Sequence, residues 1–271
     1  MIKKFLILWL ISLPAMAFTI PEHLTQGMFV FGTADKGEDI YFEDLKVPVY
    51  NGKYVFALGR DTPAKINITV KRGWFSEAFR YTYDVTPREW QKDVFDGVPP
   101  QTIAPSKKQQ KRIAKEQKML NEARAQRPIE EGFPTCFLKP VQERRISSNY
   151  GSYRVINGVA QRPHSGVDLA APEGTEVKAT ADGVVVLAQK DLFYTGGTII
   201  IEHGSGVQSG YSHLSKVGVK NGDVVRQGDV IGQVGMTGRA TGPHLHFTLS
   251  WENIRVAPEF EFCTSCPCGD K

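Results

Sequence analysis

From residue 22 to 98, and again from residue 135 onward, the chain is cut into short runs of β-branched and aromatic residues with turn formers between them. The runs "GMFVFGTA", "DIYFEDLKVPVY", "KYVFALG", "KINITVKR" and "FRYTYDVT" are separated by Asp35-Lys36-Gly37, Asn51-Gly52 and Asp61-Thr62-Pro63. Further on come "GVVVLAQ", "GTIIIEH", "GVQSGYSHL" and "DVIGQVG". Apolar runs of this length, bounded by turn signals, make antiparallel strands and leave no room for long helices. The 26 Gly and 16 Pro among 271 residues push the same way. The predicted fold class is therefore mainly β, with two domains as the natural division of a chain this long. A β-sandwich-like domain is expected at 18–98 and a second, antiparallel β domain with a groove at 135–262.

The segment between them, 99–134, has a different character. Pro99, Pro100 and Pro105 make it stiff, and Ser106 with Gln109 forms a capping-box pattern, so a helix should run from there to about Gln126 before Pro128. Eight Lys/Arg against two Glu between residues 99 and 128 make this stretch strongly basic. A solvated face explains that charge, and attraction to an anionic cell-wall or membrane surface is the functional alternative.

The first residues, "MIKKFLILWLISLPAMAF", read as a targeting segment. Two lysines precede an apolar run from Phe5 to Leu13, Pro14 breaks it, and Ala15-Met16-Ala17 supplies a small-x-small cleavage site. The run is too short to span a bilayer, which takes about 20 residues. This predicts a signal peptide at 1–17 and an exported mature chain with no integral membrane segment. The formal net charge of +4 falls to about +2 once Lys3 and Lys4 are removed, too mild to argue for nucleic acid. Cys136 and the tail cysteines Cys263, Cys266 and Cys268 suggest a disulfide between Cys136 and the 263–271 tail in an oxidising compartment. A metal knuckle is the rival reading of "CTSC", but no second well-spaced pair accompanies it.

Five of the six histidines lie after residue 135. In "ATGPHLHFTL", a strand's period of 2 sends Leu245, Phe247 and Leu249 to one face and His244, His246 and Thr248 to the other. "RPHSGVDLA" adds His164 and Asp168, at an even separation that an extended chain kinked at Gly166 keeps on one face. "GYSHLS" adds His213, and "IIIEHG" adds His203. Three segments can thus turn imidazoles and a carboxylate into one groove. Zinc catalysis requires such a set: three protein ligands from His and carboxylate, an open position, and further groups to move protons.

At these residues the chain resembles the lysostaphin-type (LytM-domain) zinc metallopeptidases, which cut peptidoglycan peptides. The resemblance runs from about Ser147 to Ala257 and rests on "SSNYGSYR", "HSGVDLAAPEGTEVKATADGVVV", "GGTIIIEHGSGVQSGYSHLS" and "VVRQGDVIGQVGMTGRATGPHLHF". It implies a zinc-dependent endopeptidase acting on peptidoglycan stem peptides or cross-links in cell-wall remodelling, with Zn2+ held by His164, Asp168 and His246. It also implies that His213 and His244 flank the coordinated water as base and oxyanion partner. His203 matches a family position that is not a ligand, and Arg154 and Tyr150 stand where the family shapes its groove. The signal peptide and the cysteines fit an oxidising periplasm, with secretion as the alternative. Some relatives have lost ligands and act as non-catalytic activators of other wall hydrolases; here the ligand set is complete.

Overall fold

The computed structural model describes residues 18–73, 78–96, 104–143 and 145–258. The expected signal peptide, the three tail cysteines and most of the proline stretch lie outside the described residues. The described chain is mainly strand, with one α-helix.

The N-terminal part contains two sheets. In one, Leu24–Thr25, Ala78–Thr86, Lys65–Arg72, Glu38–Phe42 and Leu45–Val47 lie in that order; in the other, Phe29–Thr33, Lys53–Ala57 and Val49–Tyr50 do. The alternation in "KINITVKR" explains the packing: Ile66, Ile68 and Val70 are buried while Asn67 and Thr69 face outward. The hairpin at Asn51-Gly52 turns with φ of 49° and 71° at the two residues. Both central positions of such a two-residue turn need positive φ, which Asn tolerates and Gly adopts freely.

The C-terminal part is built on an eight-stranded antiparallel sheet. Its path runs Arg145–Ser148, Val167–Ala170, His244–Trp251, Val207–Leu214, Gly196–Glu202, Gly183–Leu192 and Val224–Val225, with Ile254–Val256 added beside His244–Trp251. The core face of the His244–Trp251 strand is the one the alternation picks out, with Leu245, Phe247, Leu249 and Trp251 all buried.

The two parts share one apolar core that runs from Phe18 to Val256. Trp251 stands at the junction: it is fully buried, its ring meets Phe42 and Phe56 edge-on at 6.4 Å, and its Nε1 donates to Ser205 O at 3.0 Å. Phe29 stacks on Phe137 at 5.7 Å nearby. A second link is backbone pairing. The strand Lys92–Phe95 runs parallel to Tyr153–Ile156, with Asp93 opposite Arg154.

The helix Lys107–Arg124 begins at the expected cap. Ser106 Oγ accepts from Gln109 N at 3.4 Å, and Gln109 Oε1 accepts from Ser106 N at 2.8 Å. Its narrow apolar stripe (Met119, Leu120 and Ala123) packs on Val186, Leu187, Leu192 and Ile200 of the sheet. Lys107, Lys108, Lys111, Lys115 and Lys118 are exposed. Arg112 fastens the first half of the helix by donating to Asp191 O at 2.8 Å.

Candidate metal centre

His164, Asp168 and His246 converge. Register brings two of them together, because Asp168 sits directly opposite His246 where Val167–Ala170 pairs with His244–Trp251. His164 arrives differently from the sequence expectation. It precedes the strand, on irregular chain, and Gly166 lets that chain pass the neighbouring strand so closely that an added Cβ would lie 2.2 Å from Phe247 O. His164 Nε2 is 3.0 Å from Asp168 Oδ1 and 2.9 Å from His246 Nδ1, and His246 Nδ1 is 2.7 Å from Asp168 Oδ1. Among the described residues, these three form the group of His and carboxylate donors close enough to share a metal ion.

The surroundings set the protons. His164 Nδ1 lies 2.9 Å from Asn149 O, an atom that can only accept, so Nδ1 carries the hydrogen and Nε2 presents its lone pair inward. His213 Nδ1 donates in the same way to Thr237 O at 2.8 Å, and His244 Nδ1 to Gly242 O at 2.8 Å. A lone pair on His164 Nε2 therefore faces the Asp168 carboxylate at hydrogen-bond distance, and a cation between them relieves the repulsion. The donor set of two imidazole nitrogens and one carboxylate oxygen is that of a catalytic zinc site.

Asp168 is buried, which works to raise its pKa, but its contacts with the His164 and His246 rings hold it well below the usual carboxylate range. Arg154 adds a further constraint. Its Nη2 donates to Asp168 Oδ2 at 2.6 Å and to Ser148 Oγ at 3.1 Å, leaving Oδ1 for the two imidazoles. Ser148 Oγ in turn donates to Asp93 Oδ2 at 2.6 Å and lies 2.8 Å from His164 Nδ1. Asp93 is the supporting residue that sequence reasoning missed. It comes from the Lys92–Phe95 strand, and no local signal marks it. Tyr150, by contrast, is tucked away from the cluster: its hydroxyl donates to Arg255 O at 2.7 Å, and burial pushes it up to about 12.

His213 and His244 stand beside the cluster. Their rings are 4.7 Å apart, and His213 is 6.0 Å from the His246 ring. His213 is reached against the strand alternation. Tyr211 pairs with Phe247 on the core face and Ser212 with His246 on the groove face, so a regular His213 would point inward. Instead it adopts φ +65° at the end of the strand, a conformation that costs a non-glycine residue roughly 1–2 kcal/mol. That turn swings the imidazole back into the groove. Burial, and secondarily the neighbouring His244 and His246, push His213 down to about 3, so it is neutral and able to accept a proton.

His203 does not join this group. It is buried beside Phe137, with Nδ1 donating to Asp182 O at 2.7 Å and Nε2 2.7 Å from Ser209 Oγ. Burial lowers its pKa to about 4. The unfolded chain, with an ordinary imidazole near 6.5, binds the proton more readily between these values. The contribution of His203 is thus complete above pH of about 6.5 and is lost as pH falls toward about 4. Urea unfolding of His203→Gln should show a pH 7 to pH 5 stability difference smaller than the parent's by about 2 kcal/mol. An unchanged difference would mean that another group carries the acid sensitivity.

Residues 162–258 match Peptidase family M23. Over 113 residues the chain is 46% identical to peptidoglycan DD-endopeptidase ShyA of Vibrio cholerae, a match covering 41% of this chain and 26% of that protein. Over 122 residues it is 46% identical to DD-carboxypeptidase/endopeptidase Mpg of Neisseria meningitidis, covering 45% and 28% respectively. The chain thus spans little more than a quarter of the length of these relatives. A solved structure from Pseudomonas aeruginosa, assigned to peptidase M23, superposes with a TM-score of 0.68 at 28% identity, covering 88% of this chain and 94% of that one. That similarity takes in the N-terminal strands as well. Residues 162–258, which carry His164, Asp168, His213, His244 and His246, are thus similar in sequence to peptidase family M23.

Proposed function

We propose that the protein is a zinc-dependent endopeptidase that hydrolyses peptide bonds in peptidoglycan stem peptides or cross-links. The observation that carries this reading is the convergence of His164 Nε2, Asp168 Oδ1 and His246 Nδ1 within 2.7–3.0 Å of one another, with two further imidazoles alongside. His164, Asp168 and His246 would hold the zinc. When bound, zinc supplies Lewis acidity and a water made acidic enough to react near neutral pH.

The remaining steps belong to the protein. His213 and His244, each with Nδ1–H committed to a backbone carbonyl, offer Nε2 as a proton acceptor. One takes the proton of the attacking water at Nε2 and returns it to the departing amine; the other, carrying at Nε2 a proton taken up from solvent, donates a hydrogen bond to the developing oxyanion. Arg154 and Ser148 hold Asp168 and His164 in place, so little rearrangement is needed during reaction.

The names of the relatives support peptidoglycan as substrate. Export through the 1–17 signal peptide, a periplasmic location and a disulfide from Cys136 to the tail complete the proposal and rest on the sequence. No described helix is long and apolar enough to cross a membrane.

The direct test is mass analysis of muropeptides released from purified sacculi by the zinc-supplied protein, with His246→Ala as control. Release of uncross-linked stems by the parent alone is the expected result, and the fragment masses name the bond. No release by a parent that binds zinc would refute the hydrolytic reading and leave a non-catalytic role.

A further inference from the structure

The strand Lys92–Phe95 lies well outside the residues that match the peptidase family, yet it is built into the surroundings of the metal donors. Its parallel register against Tyr153–Ile156 sets Asp93 opposite Arg154 and Phe95 opposite Ile156. Alternation puts Asp93 and Phe95 on one face of the strand and Lys92 and Val94 on the other, where Val94 is exposed. Asp93 and Phe95 each reach a metal donor through one intermediary. Asp93 accepts from Ser148 Oγ at 2.6 Å, and Ser148 Oγ lies 2.8 Å from His164 Nδ1. The Phe95 ring centroid is 5.5 Å from the guanidinium carbon of Arg154, and Arg154 donates to Asp168 Oδ2 at 2.6 Å.

The hydrogens define what Asp93 does. A register shift between Ile146 and Ser148 sets Ser148 opposite Asp168, where it is buried. Its hydroxyl has one hydrogen to donate and lone pairs that accept. Arg154 Nη2, 3.1 Å away, can only donate, and His164 Nδ1 already carries a hydrogen, as its contact with Asn149 O at 2.9 Å requires. Asp93 is therefore the acceptor for the Ser148 hydrogen, and the oxygen of Ser148 is left to accept from both the imidazole and the guanidinium. Without the carboxylate, that hydrogen faces two N–H groups and must turn, so one of the two contacts is lost. Charge works in the same direction. A carboxylate behind the imidazole, relayed by a hydroxyl, makes Nε2 a more basic donor, as carboxylate partners of metal-bound histidines do.

We propose that Asp93 is a positioning residue for the metal centre, acting through Ser148 on His164 and Arg154, so that the N-terminal strand completes the site. The proposal rests on the reading of His164, Asp168 and His246 as zinc ligands.

The zinc affinity of the full chain, measured by competition with a chromophoric chelator, tests this without turnover. Asp93→Ala should weaken zinc binding by about 10–100-fold, as removing the outer partner of a metal-bound histidine does. Asp93→Asn should lose less, because its amide oxygen still accepts the hydroxyl hydrogen but carries no charge. In a Ser148→Ala background, Asp93→Ala should add little, because the path runs through the hydroxyl. A merely structural role would lower the Tm of the metal-free protein and leave the zinc affinity unchanged. That result, or an equal loss from Asp93→Ala in both backgrounds, would overturn the proposal. If Asp93→Ala fails to fold, Asp93→Asn measured with and without Ser148→Ala decides in the same way. A parent that binds no zinc would overturn the ligand reading and the proposal with it. Zinc binding that depends on Asp93, in a protein that hydrolyses no muropeptide, would refute the peptidase reading and leave the role of Asp93 standing.

Discussion

His246→Ala should leave the protein without stoichiometric zinc and without measurable hydrolysis, while His244→Ala and His213→Ala keep the metal and lose turnover. The distinction follows from position. His246 Nδ1 lies 2.7 Å from Asp168 Oδ1 and 2.9 Å from His164 Nε2, inside the donor triangle; His244 Nε2 stands back at 3.8 Å from Asp168 Oδ1. Removing one of three protein donors leaves two, too few for a catalytic zinc site. Removing a proton-transfer or oxyanion partner costs about 10²–10⁴-fold in kcat while the donors stay intact. Metal content by atomic emission, measured beside kcat on the same preparations, separates the two cases. A His244→Ala enzyme with the parent's rate would sink the assigned role, and a His246→Ala enzyme that retained zinc would sink the ligand set.

Trp251→Ala should destabilise the whole described chain by about 3–5 kcal/mol, as large-to-small changes at fully buried aromatic positions do. The residue fills the junction between Phe42 and Phe56 of the N-terminal sheets and the strand that carries His244 and His246. Its indole N–H is committed to Ser205 O, so the substitution leaves both a cavity and an unsatisfied acceptor. Because the core is continuous, thermal unfolding should remain a single transition at a lower Tm, with near-ultraviolet and far-ultraviolet signals lost together. Two separated transitions in the parent would contradict a shared core.

The same junction explains where sequence reading stops. The groove face of the His244–Trp251 strand was legible because period-2 alternation is a local property of the backbone: Leu245, Phe247 and Leu249 had to share one face and His244 and His246 the other. The helix start was legible because Ser106 and Gln109 satisfy each other's backbone groups within one turn. Asp93 was not legible. Its contact with Ser148 spans 55 residues and depends on the parallel pairing of Lys92–Phe95 with Tyr153–Ile156, which no local pattern encodes. The orientation of His213 was hidden too, because it breaks the alternation through a positive φ that the surrounding structure imposes.

By itself, then, the sequence determined the strand-rich class, the faces of individual strands, the helix cap and the identity of the five polar residues of the cluster. Each of these depends on neighbours a few residues apart. Only the tertiary structure decided that Asp168 stands opposite His246, and that Arg154 and an N-terminal aspartate brace the donors. These depend on strand register and on a core shared across the chain, where burial of distant apolar side chains outweighs any local preference.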